Sequence, residues 1–321
     1  MIVTSVTVRV PAKINLQLAV GPPRADGYHD LVTVFQAISL FDEVGVTAAA
    51  ADSVAVSGEG AAQVPADGDN LALRAVRALR AMGHDGPPVA VTITKRIPVA
   101  AGLAGGSADA AAALVACSEL WGAGLSQQGL CEVAAEVGSD VAFAVLGGTA
   151  VGRGRGERLT AALVAPARYH WVLAFADGGL STPEVYRTLD QLRAAKAVAA
   201  AADSPHGGTA RPPMRPAGPE LSTELMVALR AGDPERLGRS LSNDLHAPAI
   251  SLFPALRKTL AAGREFGALG ALVSGSGPTC CFLARDARHA TDLAVALSGA
   301  GVCRTVARAT GPAPGATVLE R

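Results

Sequence analysis

Residues 97–114, IPVAAGLAGGSADAAAAL, narrow the possible folds more than any other stretch of the chain. The segment before them, Val89 to Thr94, alternates apolar and polar residues, the signature of a half-buried strand whose successive side chains point to opposite faces. After Pro98 come Val99, Ala100, Ala101, Gly102, Leu103, Ala104, Gly105 and Gly106, and a run from Ser107 to about Leu120 reads as an Ala-rich helix that includes Ala108. Ser107 is placed to cap that helix, with Asp109 as a dipole-favoured acid in its first turn. A corner of such small residues lets backbone approach a ligand, and free N–H groups at a helix N-terminus attract an anion. The same residues also serve a tight strand-to-helix turn with a capping serine. The loop has neither the GxxxxGK[ST] of a Walker A motif nor the GxGxxG of a dinucleotide fold.

The rest of the chain alternates between the two periodicities. Val6, Val8 and Val10, then Ile14, Leu16, Leu18 and Val20, predict two half-buried strands joined at Pro11-Ala12-Lys13. Further strands are expected over 31–40, 44–49, 53–57, 141–151, 156–160 and 169–176, and helices over 70–82, 126–137, 183–202, 220–230, 233–240 and 250–265. Residues 269–308 close with strand, glycine loop, strand, helix and strand. Antiparallel strands mixed with helices predict an α+β fold. At 321 residues the chain is long enough for two domains, 1–160 and 161–321, with a boundary near 155–168. The Pro- and Gly-rich residues 203–219 read as a mobile surface insertion.

Three more stretches could carry chemistry. Lys13 and Asn15 share one strand face opposite Ile14 and Leu16, either toward solvent or toward a site, and the loop after them ends in Tyr28-His29, a pair able to stack on and hydrogen-bond a nucleobase. Asp140, in GSDVAF, stands between a helix end and an apolar strand, as a turn residue or as a general base in a partly dry site. Arg153 and Arg155 among glycines are a hairpin turn or a phosphate contact, the turn being the favoured reading. LVSGSGPTCCFL, at 272–283, is a glycine-bearing hairpin or a second backbone cradle for an anion. His84, His170, His206, His246 and His289 have no metal-ligand spacing.

Composition removes several classes. Twenty-eight basic and 28 acidic residues give no electrostatic footprint for nucleic acid or an anionic membrane. With 66 alanines and 12 aromatic residues, the core must be built largely from small aliphatic side chains. Five cysteines without a CxxC pairing point to a reduced cytoplasmic protein without a structural metal. The uncharged stretch Phe266 to Ala284 has the length of a membrane span, but its glycines, Pro278 and hydroxyls favour strand–loop–strand.

Taken in order, PAKINL (11–16), RADGYHDL (24–31), PVAAGLAGGSADAA (98–111), GSDVAF (138–143) and SGSGPT (274–279) resemble the GHMP small-molecule kinases over nearly the whole chain. The match is closest to the branch that phosphorylates a cytidine diphosphate derivative of a methylated tetritol in non-mevalonate isoprenoid precursor synthesis. The resemblance implies an N-terminal ATP-binding domain and a C-terminal ferredoxin-like domain with the site between them, and transfer of the ATP γ-phosphate to the acceptor's 2-hydroxyl. By position Asp140 matches the catalytic base and Lys13 the lysine that orients it. Residues 98–108 match the loop around the ATP phosphates, with Mg²⁺ accompanying ATP, and Asn70 and Lys95 the nucleoside side of that pocket. Tyr28 and His29 match the cytosine-recognising pair, and Tyr186, after Thr182, an aromatic on the other cytosine face. Asn15 matches a polar substrate contact, and Gly275, Ser276 and Gly277 belong to the second cradle. The superfamily's acidic magnesium ligand has no assigned counterpart. Ala101, Ala104 and Ala108 stand where the family usually has Gly, Gly and Ser, which is tolerable at the first two only with a negative φ. A homoserine- or mevalonate-type GHMP kinase is the alternative, and it gives no reason for aromatic residues at 28 and 186.

Overall fold

The alternation that begins at Val6 runs through Pro11 without a break. Instead of two strands, the computed structural model, which describes residues 4–202 and 218–321, has one 19-residue strand, β1 (Ser5–Pro23). The pairing register shifts between Pro11 and Ala12, and such a bulge tolerates a residue without an N–H. The runs expected at 31–40 and 44–49 likewise fuse into β2 (His29–Ala48), antiparallel to β1. This long strand is shared: its second half pairs with β4 (Val89–Lys95), and its first half with β5 (Thr149–Gly154). β3 (Ser53–Gly58) lies parallel to β4, and β6 (Arg158–Ala161) closes a hairpin with β5.

Between these strands lie α1 (Leu71–Ala81), α2 (Gly105–Leu120), α3 (Gln127–Val137) and α4 (Ser139–Leu146). Twelve of the sixteen residues of α2 are buried, which explains why it is made almost entirely of alanine and other small residues. The strand expected from 141 does not form. Val141, Phe143 and Val145 alternate, but the intervening Ala142 and Ala144 are buried too. A run buried on every face fits a buried helix as well as a buried strand, and periodicity cannot separate them.

The second sheet has the order β11-β7-β10-β9, all antiparallel: β7 (Tyr169–Phe175), β9 (Gly270–Val273), β10 (Cys280–Ala284) and β11 (Thr305–Gly311). Around it run α5 (Thr182–Ala202), α6 (Thr223–Ala231), α7 (Pro234–Ser240), α8 (His246–Leu252), α9 (Leu256–Glu265) and α10 (Ala287–Gly299). The single helix expected over 250–265 is two, because Pro254 cannot supply the N–H that would carry α8 onward. The chain also returns to the first sheet twice, both times on the edge of β1 that β2 leaves free: β8 (Ser242–Asn243) pairs at Gln17–Leu18 and β12 (Thr317–Glu320) at Thr7–Arg9. A linear division at 160/161 thus marks where the second sheet starts but leaves its last segment on the first. Residues 203–217 of the insertion read from the sequence lie outside the described residues. Among the described residues no helix is long and apolar enough to cross a membrane.

Candidate active site

A cleft of about 460 Å³ lies where the loop before α2 meets the loop between β9 and β10. Its floor is backbone. α2 starts at Gly105, two residues earlier than its composition suggests, and its N-cap is Ala104 in the left-handed conformation (φ 59°) with no side-chain capping bond. Ser107 is therefore inside the first turn rather than capping it, and Asp109 lies beyond that turn. The first N–H groups of α2 have no side-chain cap, and Gly105, Gly106 and Ser107 line the cleft. That is the arrangement in which a helix N-terminus holds an anion.

The loop reaches α2 through three left-handed residues, Ala100 (φ 52°), Gly102 (φ 76°) and Ala104. Ala101 keeps a negative φ, as the sequence reading required; Ala104 does not, and Ala100 joins it. A left-handed alanine costs roughly 1–2 kcal/mol through the approach of Cβ to the following carbonyl oxygen. The loop is held from the other side by the second glycine loop: Ser274 donates its hydroxyl to the Gly102 carbonyl (3.1 Å), and the Thr279 N–H points at Ala101 O (3.4 Å). A Cβ on Gly102 would lie 2.2 Å from the Ser274 carbonyl oxygen, so only glycine fits there.

Lys13, Asn15 and Asp140 line the same cleft. The bulged β1 presents Lys13 and Asn15 on one face, as the period-two reading anticipates. Lys13 Nζ donates to Asn15 Oδ1 (2.8 Å), Asn15 Nδ2 to Thr33 Oγ1 (2.8 Å), and Thr33 Oγ1 to the Gln17 carbonyl (2.7 Å). This chain, with the Lys13 ammonium 5.7 Å from the centre of the Phe35 ring, fixes a buried lysine whose Nζ is 3.7 Å from Asp140 Oδ2. Asp140 sits in the first turn of α4 and is a third exposed. Gly275 completes the approach: a Cβ there would be 3.2 Å from Lys13 Nζ.

A second cavity, of about 800 Å³, adjoins the first and shares Leu31, Ser139, Arg155, Thr182 and Tyr186 with it. Tyr28 and His29 stand in its wall. Tyr28 is 55% exposed, with the Arg155 guanidinium 5.2 Å from its ring centre. His29 is buried, its Nε2 3.0 Å from Asp190 Oδ1 and its ring 5.1 Å from that of Tyr186. Burial, with the nearby charge of Asp140, pushes the Tyr186 phenol above its ordinary range. Thr182 and Ser276 hydroxyls are 2.8 Å apart across the cleft mouth.

Several sequence-nominated residues lie elsewhere. Asn70 caps α1, accepting from Ala72 N and donating to Pro65 O, and is not in the wall of either cavity. Lys95 is buried between Asp42 and Asp109, with Nζ 2.5 and 2.7 Å from their carboxylates. Leu103 and Ala108 point into the core, while Pro98 and Val99 face a smaller cavity of about 310 Å³ on the reverse side of the loop. Gly277 bears on Val273, Gly102 and Leu180 rather than on the open cleft. Arg155, read from the sequence as a turn residue, lines both cavities, and Asp42 has no local signal.

Comparison with known proteins gives a consistent result. Residues 70–148 match the family model "GHMP kinases N terminal domain" and residues 225–303 match "GHMP kinases C terminal". The chain is 53% identical over 315 residues (98% of the chain, 96% of the relative) to the 4-diphosphocytidyl-2-C-methyl-D-erythritol kinase of Nocardia farcinica. It superposes on a crystal structure of 4-(cytidine 5'-diphospho)-2C-methyl-D-erythritol kinase with a TM-score of 0.70 at 34% identity, covering 94% of this chain and 98% of that one. Homoserine kinase from Cytophaga hutchinsonii shares the fold, with a TM-score of 0.73 at 20% identity and coverage of 99% and 98%.

Proposed function

The chain belongs to the GHMP kinases, ATP-dependent small-molecule phosphotransferases, and from that premise we propose that its acceptor is 4-diphosphocytidyl-2-C-methyl-D-erythritol, phosphorylated on the 2-hydroxyl in non-mevalonate isoprenoid precursor synthesis. The observation that carries this reading is the continuity of the two cavities. One holds the bare helix N-terminus with Lys13 and Asp140, and the other holds Tyr28, His29 and Tyr186. An acceptor with a reacting alcohol at one end and a nucleobase at the other fits such a joined space.

In this reading the donor substrate is Mg–ATP, with its phosphates on the N–H groups of Gly105, Gly106 and Ser107. Asp140 takes the proton of the acceptor hydroxyl, whose oxygen forms a bond to the γ-phosphorus as the bond to the bridging oxygen of ADP breaks. Lys13, immobilised through Asn15 and Thr33, orients the hydroxyl and offsets charge on the transferring group. Phosphoryl transfer depends mainly on such positioning and charge stabilisation. At the other end the cytosine lies against Tyr28 and Tyr186, each stacking contact contributing roughly 1–3 kcal/mol, with His29 held by Asp190 as a hydrogen-bonding edge. Five free cysteines fit a cytoplasmic setting.

The test is ADP release from Mg–ATP with three acceptors: the cytidyl compound, the same tetritol phosphate without its cytidyl group, and homoserine or mevalonate. Turnover confined to the cytidyl compound is the expected result. Turnover with homoserine or mevalonate instead would move the chain to another branch of the family.

A further inference from the structure

Among the described residues Lys95 is the one lysine buried between two acids, and it lies beneath the phosphate corner rather than in it. A Cβ on Gly105 would be 3.1 Å from Lys95 Nζ, so the ammonium sits directly under the first residue of α2. Asp42, from β2, accepts from Lys95 Nζ, Arg96 N and Ile97 N. Asp109, one turn into α2, accepts only from Lys95, through Oδ2; its Oδ1 is buried with no partner. All three side chains are 3% exposed or less.

Two carboxylates and one ammonium leave an uncompensated negative charge in a dry site, which is costly. Asp42 has three donors and Asp109 has one, so the proton that removes the excess belongs on Asp109. We propose that Asp42, Lys95 and Asp109 form a buried positioning triad for the phosphate-binding corner, in which Asp109 carries a proton that keeps the triad neutral when the anionic donor binds above it. The triad ties β2, β4 and α2 together at the point where the loop turns. Loss of the Asp109 proton puts a net negative charge under the bound phosphates and weakens their binding.

The directions of titration agree. Burial, then the neighbouring Asp42, offset in part by Lys95, pushes the Asp109 carboxyl up to about 8. Burial alone would lower Lys95, but the two carboxylates outweigh it and raise it. The other charged side chains of elements packed on α2 turn elsewhere. Lys13 of β1 faces Asn15 and Asp140, Arg9 of β1 pairs with Glu43 of β2, His29 and Asp30 of β2 pair with Asp190 and Arg24, and Asp140 of α4 faces the cleft. On α1, Arg74 lines the second cavity, Arg77 lies by Gly68, and Arg80 pairs with Asp52. On α3, Glu132 accepts from Gln128 and Glu136 lines the second cavity. Glu320 of β12 is exposed.

The inference rests on the helix N-terminus being the donor site. The experiment compares ATP KM from pH 6.5 to 9.5 for the unaltered protein and Asp109→Asn, which keeps the shape and cannot ionise. In the unaltered protein KM rises severalfold above about pH 8, approaching a limit of about tenfold per pH unit for a single strongly coupled proton; in Asp109→Asn the rise is absent. A merely structural aspartate would lower the thermal midpoint on substitution without flattening the KM profile, so superimposable profiles overturn the triad. Calorimetry supplies a test that needs no variant. ATP binding at pH 8.5, measured in two buffers of different ionisation enthalpy, takes up a fraction of a proton; no uptake overturns the proposal. A protein that binds no ATP at either pH fails the donor-site reading itself, a result distinct from ATP binding without proton linkage.

Discussion

The two ends of the cleft are built by opposite means. The end proposed to take the donor is one uninterrupted run, residues 100–107, which offers backbone N–H groups at a helix start reached through three left-handed residues. The end proposed to take the acceptor is assembled from side chains that are far apart in the chain: Lys13 and Asn15 from β1, His29 from β2, Asp140 from α4, and Thr182 and Tyr186 from α5. A backbone cradle is a matter of local conformation, so consecutive small residues can specify it. A side-chain constellation requires several elements to be packed correctly before any two of its members meet. The donor end is therefore sensitive to backbone changes and the acceptor end to loss of functional groups.

Substitutions at the two ends can sharpen or break that contrast. The largest effect is expected from Asp140→Asn, which keeps the shape and removes the base: kcat should fall by ~10²–10⁴, the usual contribution of a positioned acid/base group, with ATP KM little changed. Near-normal turnover would take Asp140 out of the base role. A smaller effect belongs to Tyr28→Ala, where the loss of one stacking contact, roughly 1–3 kcal/mol, should raise the acceptor KM about 5- to 150-fold and leave ATP KM as it was. Equal losses for both ligands would mean that the two ends are not separate sites. The smallest effect is at the donor loop itself. Ala104→Gly relieves a left-handed alanine but adds freedom to the unfolded chain, for a net gain of up to about 1 kcal/mol in a denaturation experiment. A large loss of ATP affinity in that variant would show that the Ala104 methyl, rather than the backbone, helps to hold the loop.

Much of the fold was legible. Strands 89–95 and 169–175 and helices 71–81 and 127–137 fall within a residue or two of the spans their patterns predict; β4 and α1 each bury one face and leave the other open, so their periods are plain. The failures have one cause. α4, buried on all faces, has no polar side to report its period, and Pro11 reads as a break in the sequence because its bulge depends on the partner strand. The family resemblance sets Lys95 on the nucleoside side of the ATP pocket; its surroundings in the fold, Asp42, 53 residues away, and Asp109, have no signal in the motif. His29 was legible as half of an aromatic–imidazole pair; its partner Asp190, 161 residues distant, was not.

The sequence by itself determined the small-residue corner before α2, the face shared by Lys13 and Asn15, and the order of motifs that places the chain among the GHMP kinases, because each depends on spacing along a single strand, turn or helix start. Tertiary structure alone decided that Lys13 meets Asp140, that Tyr28, His29 and Tyr186 share a wall, and that Lys95 is withdrawn beneath the loop between two acids. These outcomes depend on which faces of β1, β2, β4, α2, α4 and α5 are pressed together. Burial then sets the energies of the charges trapped between them, and no local pattern contains that information.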